Sequence, residues 1–183
     1  MIVKKIPPFE NVLEIIPDIY EDDRGYFFES YSQKTFNKKL GLNVKFVQDN
    51  HSKSKKNVIR GLHFQREPFS QQKLLRCVKG RVFEVIVDIN PKSKNFLKYS
   101  TLEINATLNN QLFIPNGYAH GFLSLEDNSH LIYKTDNFYS SEKEMTLKWN
   151  DPIVNIAWPI DKNIVILSKR DEQAILFKEY FKL

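Results

Sequence analysis

The sequence predicts an all-β fold in which two antiparallel sheets pack as a double-sheet roll, accompanied by a few short helices. Three observations support this class: many short segments rich in β-branched and aromatic residues, turn residues between them, and little helical periodicity. The clearest strand covers residues 82–89 and stops at Asn90-Pro91, which is a turn signal. Many short strands at regular spacing are typical of a sandwich or barrel, and a roll of this kind leaves a pocket between its sheets.

The remaining elements follow from the same kinds of pattern. A short helix is expected from Ser32, a suitable N-cap, to Leu40, with Gly41 closing it. A second helix is expected over residues 168–183, where apolar residues recur along one stripe. Further strands are predicted over residues 44–48, 73–78, 99–104, 111–114, 121–125 and 131–137.

Length and composition indicate a single domain over residues 1–183. A chain of this length buries about 70% of the surface that its unfolded form exposes, so it needs no second core. The sequence is 42% apolar and 27% charged, and it has no run of about 18 apolar residues that could cross a bilayer. The N-terminal segment reaches Pro7-Pro8 before any apolar stretch long enough for a signal peptide. We therefore expect a cytoplasmic protein without a membrane segment.

The net charge of +5 raises the question of a nucleic-acid partner. Much of the excess lies in two lysine clusters, within residues 53–56 and 92–98, in loop-like stretches between strands. No recognition helix, zinc finger or RNA-binding aromatic pattern accompanies them, so we expect no nucleic-acid binding. Attraction of a small anion fits this charge better. The single cysteine, Cys77, lies in an apolar strand and is expected to fill the core.

Two glycine-containing motifs carry the candidate chemistry. The first is Arg60-Gly61-Leu62-His63-Phe64-Gln65, which is followed by Lys73, and the second is Ile114-Pro115-Asn116-Gly117-Tyr118-Ala119-His120-Gly121-Phe122. Each motif places a titratable side chain in an apolar, strand-like context. Burying such a group is costly, so these positions are candidates for a functional site.

A metal site is one interpretation of the second motif. Its Pro-x-Gly-x-x-His pattern, ending at His120, resembles a half-motif of the cupin jelly rolls, in which the histidine often binds iron, manganese or zinc. The segment that matches the first cupin half-motif offers only one histidine, His63. A site made of His63, His120 and Glu67 would be short of ligands, so we expect no metal. A metal-dependent cupin enzyme stays open as an alternative.

Acid and base chemistry without a metal is the preferred interpretation. Histidine has an unperturbed pKa near neutrality, so His63 can take a proton if a carboxylate orients its ring. Lys73 can place a cation where an oxyanion forms. The structural alternatives are a hydrogen-bonded strand histidine and a lysine whose ammonium group reaches water.

Seven segments, taken together and in order, resemble the dTDP-4-dehydrorhamnose 3,5-epimerases of deoxysugar biosynthesis over about residues 20–171. The resemblance implies a cupin-type jelly roll that works as a homodimer, needs no cofactor or metal, and inverts the carbons on either side of a 4-keto group. The segments are Asp23-Arg24-Gly25-Tyr26-Phe27-Phe28-Glu29, Phe46-Val47-Gln48-Asp49-Asn50-His51-Ser52, Arg60-Gly61-Leu62-His63-Phe64-Gln65, Gln72-Lys73-Leu74, residues 114–122 as given above, Tyr133-Lys134-Thr135 and Trp149-Asn150-Asp151-Pro152.

The resemblance also implies catalytic roles. His63 matches the general base of the family, and Asp171 matches the carboxylate that pairs with it. Lys73 matches the residue that stabilises the enolate oxygen, and Tyr133 matches the acid that returns a proton to the opposite face of the sugar ring. Asp171 also suits a capping box beginning at Ser168, and Tyr133 suits a strand core, so structural roles remain open for both.

Substrate contacts are implied in the same way. In the family, the segment around Arg24 and Glu29 reaches into the site of the neighbouring subunit, which makes the homodimer necessary for activity. His120 resembles a histidine that lines the pocket. The residues implied in nucleotide-sugar binding are Arg24, Phe27, Glu29, Gln48, Asn50, Arg60, His120 and Tyr139.

The substrate itself is left open by the sequence. The most favoured reaction converts dTDP-4-dehydro-6-deoxy-glucose to dTDP-4-dehydrorhamnose. Related enzymes with the same pair of groups act on GDP-linked 4-keto-6-deoxyheptoses, or invert only C3 or only C5. Arg66 and Glu67 stand before Pro68, where many relatives have smaller or uncharged residues, and this loop can alter what the pocket admits. A non-catalytic jelly roll that binds a sugar nucleotide is an alternative of another class.

Overall fold

The computed structural model describes residues 1–183 and contains thirteen β-strands, three α-helices and one 3₁₀ helix. The helices are α1 (Gln33–Leu40), α2 (Lys169–Glu172) and α3 (Phe177–Phe181), and the 3₁₀ helix is Lys162–Ile164. None of the helices has the length and apolar character needed to cross a membrane. The strands are β1 (Ile2–Lys5), β2 (Leu13–Ile16), β3 (Tyr20–Asp22), β4 (Gly25–Phe27), β5 (Gln48–Ser54), β6 (Ile59–Gln65), β7 (Lys73–Lys79), β8 (Arg81–Asp88), β9 (Tyr99–Asn105), β10 (Gln111–Ile114), β11 (Tyr118–Ser124), β12 (Ser129–Thr135) and β13 (Glu144–Thr146).

The strands form two main sheets and one separate hairpin. The six-stranded sheet has the order β1-β2-β10-β7-β12-β5, and the five-stranded sheet has the order β13-β6-β11-β8-β9. Every named pairing is antiparallel, including that of β3 with β4 in the hairpin. The predicted all-β, cupin-like double-sheet jelly roll with a few short helices is therefore confirmed.

Four apolar clusters hold the structure together, and three of them show how the layers pack. The largest lies between the two sheets and joins residues such as Leu75 on β7 to Ile86 on β8. A second covers the outer face of the five-stranded sheet, where C-terminal residues including Phe177 pack on Val85. A third places Phe36 of α1 against the outer face of the six-stranded sheet. Apolar residues therefore cover the outer faces of both sheets.

The first helix forms as the capping residues predict. Ser32 accepts a hydrogen bond from the Thr35 N–H, and Gly41 has a φ of 65° in the left-handed region. The predicted strand over residues 44–48 is wrong, because strand pairing begins only at Gln48. The backbone of Val44 instead makes two hydrogen bonds with the side chain of Asn37, at 2.9 and 3.0 Å, which hold it against α1.

The single C-terminal helix predicted over residues 168–183 is also wrong. The segment contains the short helices α2 and α3, separated by an extended stretch. In that stretch the Ile175 N–H donates to the Thr146 carbonyl, and the Ile175 carbonyl accepts from the Lys148 N–H. These bonds to the end of β13 and to the chain just after it replace the bonds that a continuous helix would need.

Gly61 on β6 lies unusually close to Gly121 on β11. A methyl group added at Gly61 would lie 2.5 Å from the Gly121 Cα and 2.8 Å from the His120 carbonyl oxygen, and the φ of Gly61 is +127°. A Gly61→Ala change is therefore expected to destabilise the protein by more than about 4 kcal/mol, through both overlap and backbone strain. Urea unfolding measures the change. The matched control is Gly25→Ala, since Gly25 has a φ of +124° but no atom near the added methyl.

The two glycine substitutions separate the two causes. Gly25→Ala is expected to cost about 2 kcal/mol or less, because only the backbone angle is strained. Equal losses for Gly25→Ala and Gly61→Ala would show that the close approach of β6 to β11 contributes nothing.

Candidate active site

A cavity of about 360 Å³ opens between the two sheets. Both sheets contribute to its lining, because β5, β7 and β12 face β6 and β11 across it. The sequence-predicted residues that line this cavity are His63, Lys73, Tyr133, Gln48, Asn50, Arg60, His120 and Tyr139. Most of the predicted site residues, from segments far apart in the sequence, therefore meet in one place.

His63 projects from β6 and pairs with Asp171 of α2. The His63 Nε2 lies 2.7 Å from the Asp171 Oδ1, and the Asp171 side chain is 4% exposed. The carboxylate also accepts hydrogen bonds from the Gly61 N–H and the Ser168 hydroxyl. Burial acts to raise the pKa of Asp171, but these hydrogen bonds, with the one from His63 the strongest, bring it below its ordinary value. An ionised Asp171 holds the Nε2–H of His63 and leaves Nδ1 as the ring nitrogen that can accept a proton.

Asp171 has the structural role that the sequence left open, in addition to this pairing. Ser168 is the N-cap of α2, and its hydroxyl oxygen accepts from the Asp171 N–H at 3.2 Å. The same hydroxyl donates to the Asp171 Oδ2 at 2.7 Å. The cap therefore fixes the carboxylate that pairs with His63, so Asp171 combines the capping role with this pairing.

Lys73 is buried at the start of β7, with its ammonium group next to His120. The Lys73 Nζ lies 2.8 Å from the His120 Nε2, and the His120 Nδ1 lies 3.3 Å from the Glu84 Oε2. Burial lowers the pKa of Lys73 to about 8, while Glu84 and Glu144 act to raise it. The site thus contains a cationic group whose charge is sensitive to its neighbours.

Tyr133 faces the cavity from β12 of the six-stranded sheet. Its strand neighbours in register are Leu75 and Asn50, whereas His63 is paired with His120 in the other sheet. Burial raises the pKa of the Tyr133 phenol, so it keeps its proton at neutral pH. A proton acceptor and a proton donor therefore stand on opposite walls of one cavity.

Polar side chains at the mouth of the cavity are already held by hydrogen bonds. The Gln48 amide donates to the Asn50 Oδ1 at 2.9 Å, and the Gln48 Oε1 accepts from the Tyr139 N–H at 3.0 Å. The Arg60 guanidinium donates to the Ser54 hydroxyl and the Lys53 carbonyl. These contacts fix the wall that would meet the polar part of a ligand.

Three predicted binding residues do not reach the cavity within this chain. Arg24 lies in the β3–β4 hairpin, where its guanidinium pairs with Asp22. Phe27 is 70% exposed at the end of β4. Glu29 borders a separate small pocket near α1. None of these three side chains therefore lines the cavity that contains His63.

Glu84, Glu144 and Arg170 are site residues that the sequence reasoning missed. Glu144 lines the cavity from β13 and pairs with Arg170 at 2.5 Å. Glu84 was visible as the one charged residue within the apolar run 82–87 of β8, which is the kind of position that marks a buried functional charge. Glu144 gave no such signal, because it lies in a strand of only three residues.

His63, His120 and Glu67 do not come together as a metal site. The carboxylate of Glu67 accepts a hydrogen bond from the Ser70 hydroxyl at 2.6 Å. No group of three histidine, cysteine, aspartate or glutamate side chains converges in a geometry that would hold a metal ion.

Fold and cavity together define a cupin-like jelly-roll enzyme with acid and base groups between its sheets. The sequence matches the dTDP-4-dehydrorhamnose 3,5-epimerase family over residues 7–179. The chain belongs to this family. The dTDP-4-dehydrorhamnose 3,5-epimerase of Escherichia coli is 47% identical over 174 residues, which cover 95% of this chain and 94% of that protein.

Solved structures agree with the sequence comparison. The crystal structure of dTDP-4-dehydrorhamnose 3,5-epimerase from Elizabethkingia anophelis superposes with a TM-score of 0.92 at 42% identity, covering 98% of this chain and 97% of that one. A Legionella pneumophila epimerase, solved in complex with dTDP-4-keto-L-rhamnose, has a TM-score of 0.89 at 37% identity and covers 93% of this chain and 90% of that one. The sequence resemblance to the family is therefore confirmed.

Proposed function

We propose that this protein epimerises a nucleotide-linked 4-keto-6-deoxysugar, converting dTDP-4-dehydro-6-deoxy-glucose to dTDP-4-dehydrorhamnose by inversion at C3 and C5. The observation that carries the proposal is the placement of His63 and Tyr133 on opposite walls of one cavity, with Lys73 between the same two sheets. Membership of the epimerase family and the dTDP-sugar bound to the Legionella relative support this substrate. The base, the cation and the acid of the proposed reaction all line this cavity.

Proton removal is the first step. A hydrogen on the carbon next to a ketone is acidic because its electrons can delocalise onto the ketone oxygen. The free Nδ1 of His63 takes this proton, and the imidazolium that forms is stabilised by Asp171 at 2.7 Å. The carboxylate also prevents the ring from turning its protonated nitrogen to the substrate.

The enolate oxygen at C4 needs a positive partner. The Lys73 ammonium is buried in the cavity, where the low dielectric strengthens its interaction with a developing negative charge. Its position next to His120 leaves hydrogens on Nζ for the substrate, because an ammonium group donates three.

Reprotonation on the opposite face completes each inversion. If His63 returned the same proton from the same side, the starting configuration would be restored. Tyr133 approaches from the other sheet and remains protonated because burial raises its pKa. The two-layer architecture thus places a base on one face of a ring held between the sheets and an acid on the other.

The diphosphate and base of the nucleotide extend toward the mouth of the cavity. Arg60 provides a guanidinium group whose geometry suits phosphate oxygens. Gln48 and Asn50 provide amides for the sugar and ribose hydroxyls, and Tyr139 provides an aromatic face for the base. These four contacts are proposals that follow from the position of the side chains.

Incubation with candidate substrates in deuterated water tests the function. The dTDP-linked 4-keto-6-deoxyhexose is expected to take up deuterium at C3 and C5, with inversion seen by NMR. A GDP-linked 4-keto-6-deoxyheptose serves as the competing substrate, and uptake at one carbon alone would identify a mono-epimerase. Tight binding with no deuterium in any of these sugars would refute the catalytic proposal and leave a sugar-nucleotide binding protein.

We further propose that the site is completed in a homodimer. Arg24 and Phe27 lie on an exposed hairpin outside the cavity, and Tyr20 and Tyr26 on the same hairpin are 65% and 60% exposed. An exposed aromatic hairpin of this kind is suited to contact a second copy of the chain. The hairpin would then carry Arg24 and Phe27 to the cavity of the partner.

Subunit complementation tests this arrangement. His63→Ala and Arg24→Ala are expected to be strongly impaired as homodimers, and a heterodimer purified through two different tags should regain about half of the wild-type activity, because one of its two sites is intact. The control is the sum of the two variants kept in separate dimers. A heterodimer no more active than that sum would place Arg24 in the site of its own chain or in neither.

A further inference from the structure

Glu84 is a buried carboxylate that the proposed reaction does not use directly. It lies in the middle of β8, is completely inaccessible to solvent, and makes its one side-chain hydrogen bond to His120. Its other oxygen, Oε1, has no partner. Burying an ionisable group with so little compensation is unfavourable unless a nearby charge offsets it, and the nearest basic group along this line of contacts is Lys73.

The hydrogen bonds between the three side chains have a defined direction. A lysine ammonium only donates, so the His120 Nε2, at 2.8 Å from the Lys73 Nζ, must be the acceptor. A neutral imidazole that accepts at Nε2 carries its hydrogen on Nδ1. That hydrogen is directed at the Glu84 Oε2, 3.3 Å away. The chain of donors thus runs from Lys73 through His120 to an acceptor carboxylate.

We propose that Glu84 is a positioning residue that acts through His120 to keep Lys73 protonated and to hold its ammonium group at the enolate oxygen. The proposal rests on the function proposed above only in the use that the reaction makes of the cation. Glu84 does not touch the cavity, so its effect on substrate passes through the other two side chains.

The charges of Lys73 and Glu84 support one another. Burial lowers the pKa of Lys73 to about 8, and Glu84 is the leading group that opposes this effect. Burial also raises the pKa of Glu84, and Lys73 is the group that opposes that effect. His120 remains neutral, because burial and the neighbouring Lys73 both lower its pKa well below the ordinary value. Removing the carboxylate should therefore make Lys73 lose its proton more readily.

Other charged groups around Lys73 are less able to take this role. Glu144 reaches the cavity from β13, but its carboxylate is paired with Arg170. Its charge is therefore already balanced, whereas no cation other than Lys73 acts on Glu84. The titratable and charged groups that face Lys73 from the packed elements are Glu84 on β8, His120 on β11, His63 and Arg60 on β6, Tyr133 on β12, Tyr139 in the loop after it, and Glu144 on β13.

The test is a pH titration of Lys73 in substrate-free protein. NMR of lysine labelled at the ε carbon monitors the titration, and the Lys73→Met variant assigns the Lys73 signal. In Glu84→Gln, the amide oxygen can still accept from His120 but the negative charge is gone. The midpoint of Lys73 is expected to fall by about one pH unit or more. Glu84→Asp, which retains the charge, should keep the midpoint within about half a unit of the wild type.

Asp88→Asn is the matched control. Asp88 is a buried carboxylate on the same face of β8 as Glu84, four positions further along the strand. Its oxygens accept hydrogen bonds from the Asn90 N–H and the Ser93 hydroxyl rather than from His120. This variant should leave the Lys73 midpoint unchanged.

The pH profile of kcat/KM gives the second readout. Because Lys73 must be protonated, Glu84→Gln should lose about tenfold at pH 9, where the cation is scarce, and little at pH 6. A purely structural role for Glu84 would lower kcat/KM equally at both pH values.

An unchanged Lys73 midpoint in Glu84→Gln would overturn the proposal, whatever the activity. A lowered midpoint in a protein with no epimerase activity would support the proposal and refute the function, so the two failures are distinguishable. If Glu84→Gln does not fold, the ¹⁵N NMR shifts of His120 in the wild type decide, since hydrogen on Nδ1 supports the proposal and hydrogen on Nε2 overturns it.

Discussion

Replacing His63 by alanine is expected to lower the rate of deuterium uptake at both C3 and C5 by about 10³-fold, because general bases typically contribute factors of this size. The loss should affect both carbons, since His63 is the one histidine of the cavity with a carboxylate partner at 2.7 Å and a free ring nitrogen. NMR of the sugar after incubation in deuterated water measures exchange at each carbon separately.

His130→Ala is the matched control for His63→Ala. His130 is also a strand histidine, but it lies on β12 outside the cavity and contacts His51 at 2.9 Å. Its loss should leave exchange unchanged. Normal exchange in folded His63→Ala would contradict the assignment of His63 as the base.

Replacing Tyr133 by phenylalanine is expected to separate proton loss from inversion. His63 and Asp171 remain in place, so the hydrogen next to the ketone should still be removed. Without the phenol on the opposite wall, His63 returns a proton from its own side, and deuterium enters with retained configuration. The rate of inversion should fall by about 10²-fold relative to exchange, which chiral analysis of the recovered sugar together with its deuterium content will measure.

Tyr118→Phe is the control for this second substitution. Tyr118 is a half-buried strand tyrosine whose hydroxyl donates to Asn11 at 2.7 Å, and it does not line the cavity that contains His63. It should not change the ratio of exchange to inversion. If Tyr133→Phe and His63→Ala abolish exchange to the same extent, separate acid and base roles are refuted.

Local patterns in the sequence were sufficient for the first helix and for six of the thirteen strands, β7 to β12. The predicted strand at residues 111–114 matches β10, and the prediction at 82–89 differs from β8 by one residue at each end. The Ser32 and Gly41 caps bound α1 as expected. These features depend on residues that are close to one another in the sequence, and hydrophobic periodicity and capping signals report on such local relationships.

The two predictions that were wrong concern segments whose backbone bonds to groups outside the predicted element. Residues 173–176 leave the helical path because Ile175 bonds to backbone groups near β13. The backbone groups of Val44 bond to the side chain of Asn37 and not to a neighbouring strand. Neither contact leaves a periodic signal in the sequence.

The candidate site required both the family resemblance and the structure. His63 and Asp171 are 108 residues apart, and no spacing rule connects them. The resemblance pointed to this pair, and the structure gives its distance. Glu84 was recognisable as a charge in an apolar strand, but its partner His120 lies 36 residues further on and only the fold brings the two together.

The apolar residues that cover the outer face of the five-stranded sheet also hold the segment that carries Asp171. Phe177 is completely buried there, and its N–H donates to the Asp151 carboxylate at 2.8 Å. This anchor follows closely after α2, so it fixes the stretch of chain that carries Asp171. The thermal stability of the enzyme's activity therefore depends on the apolar packing of Phe177 on the outer face of the sheet, which does not contact the substrate.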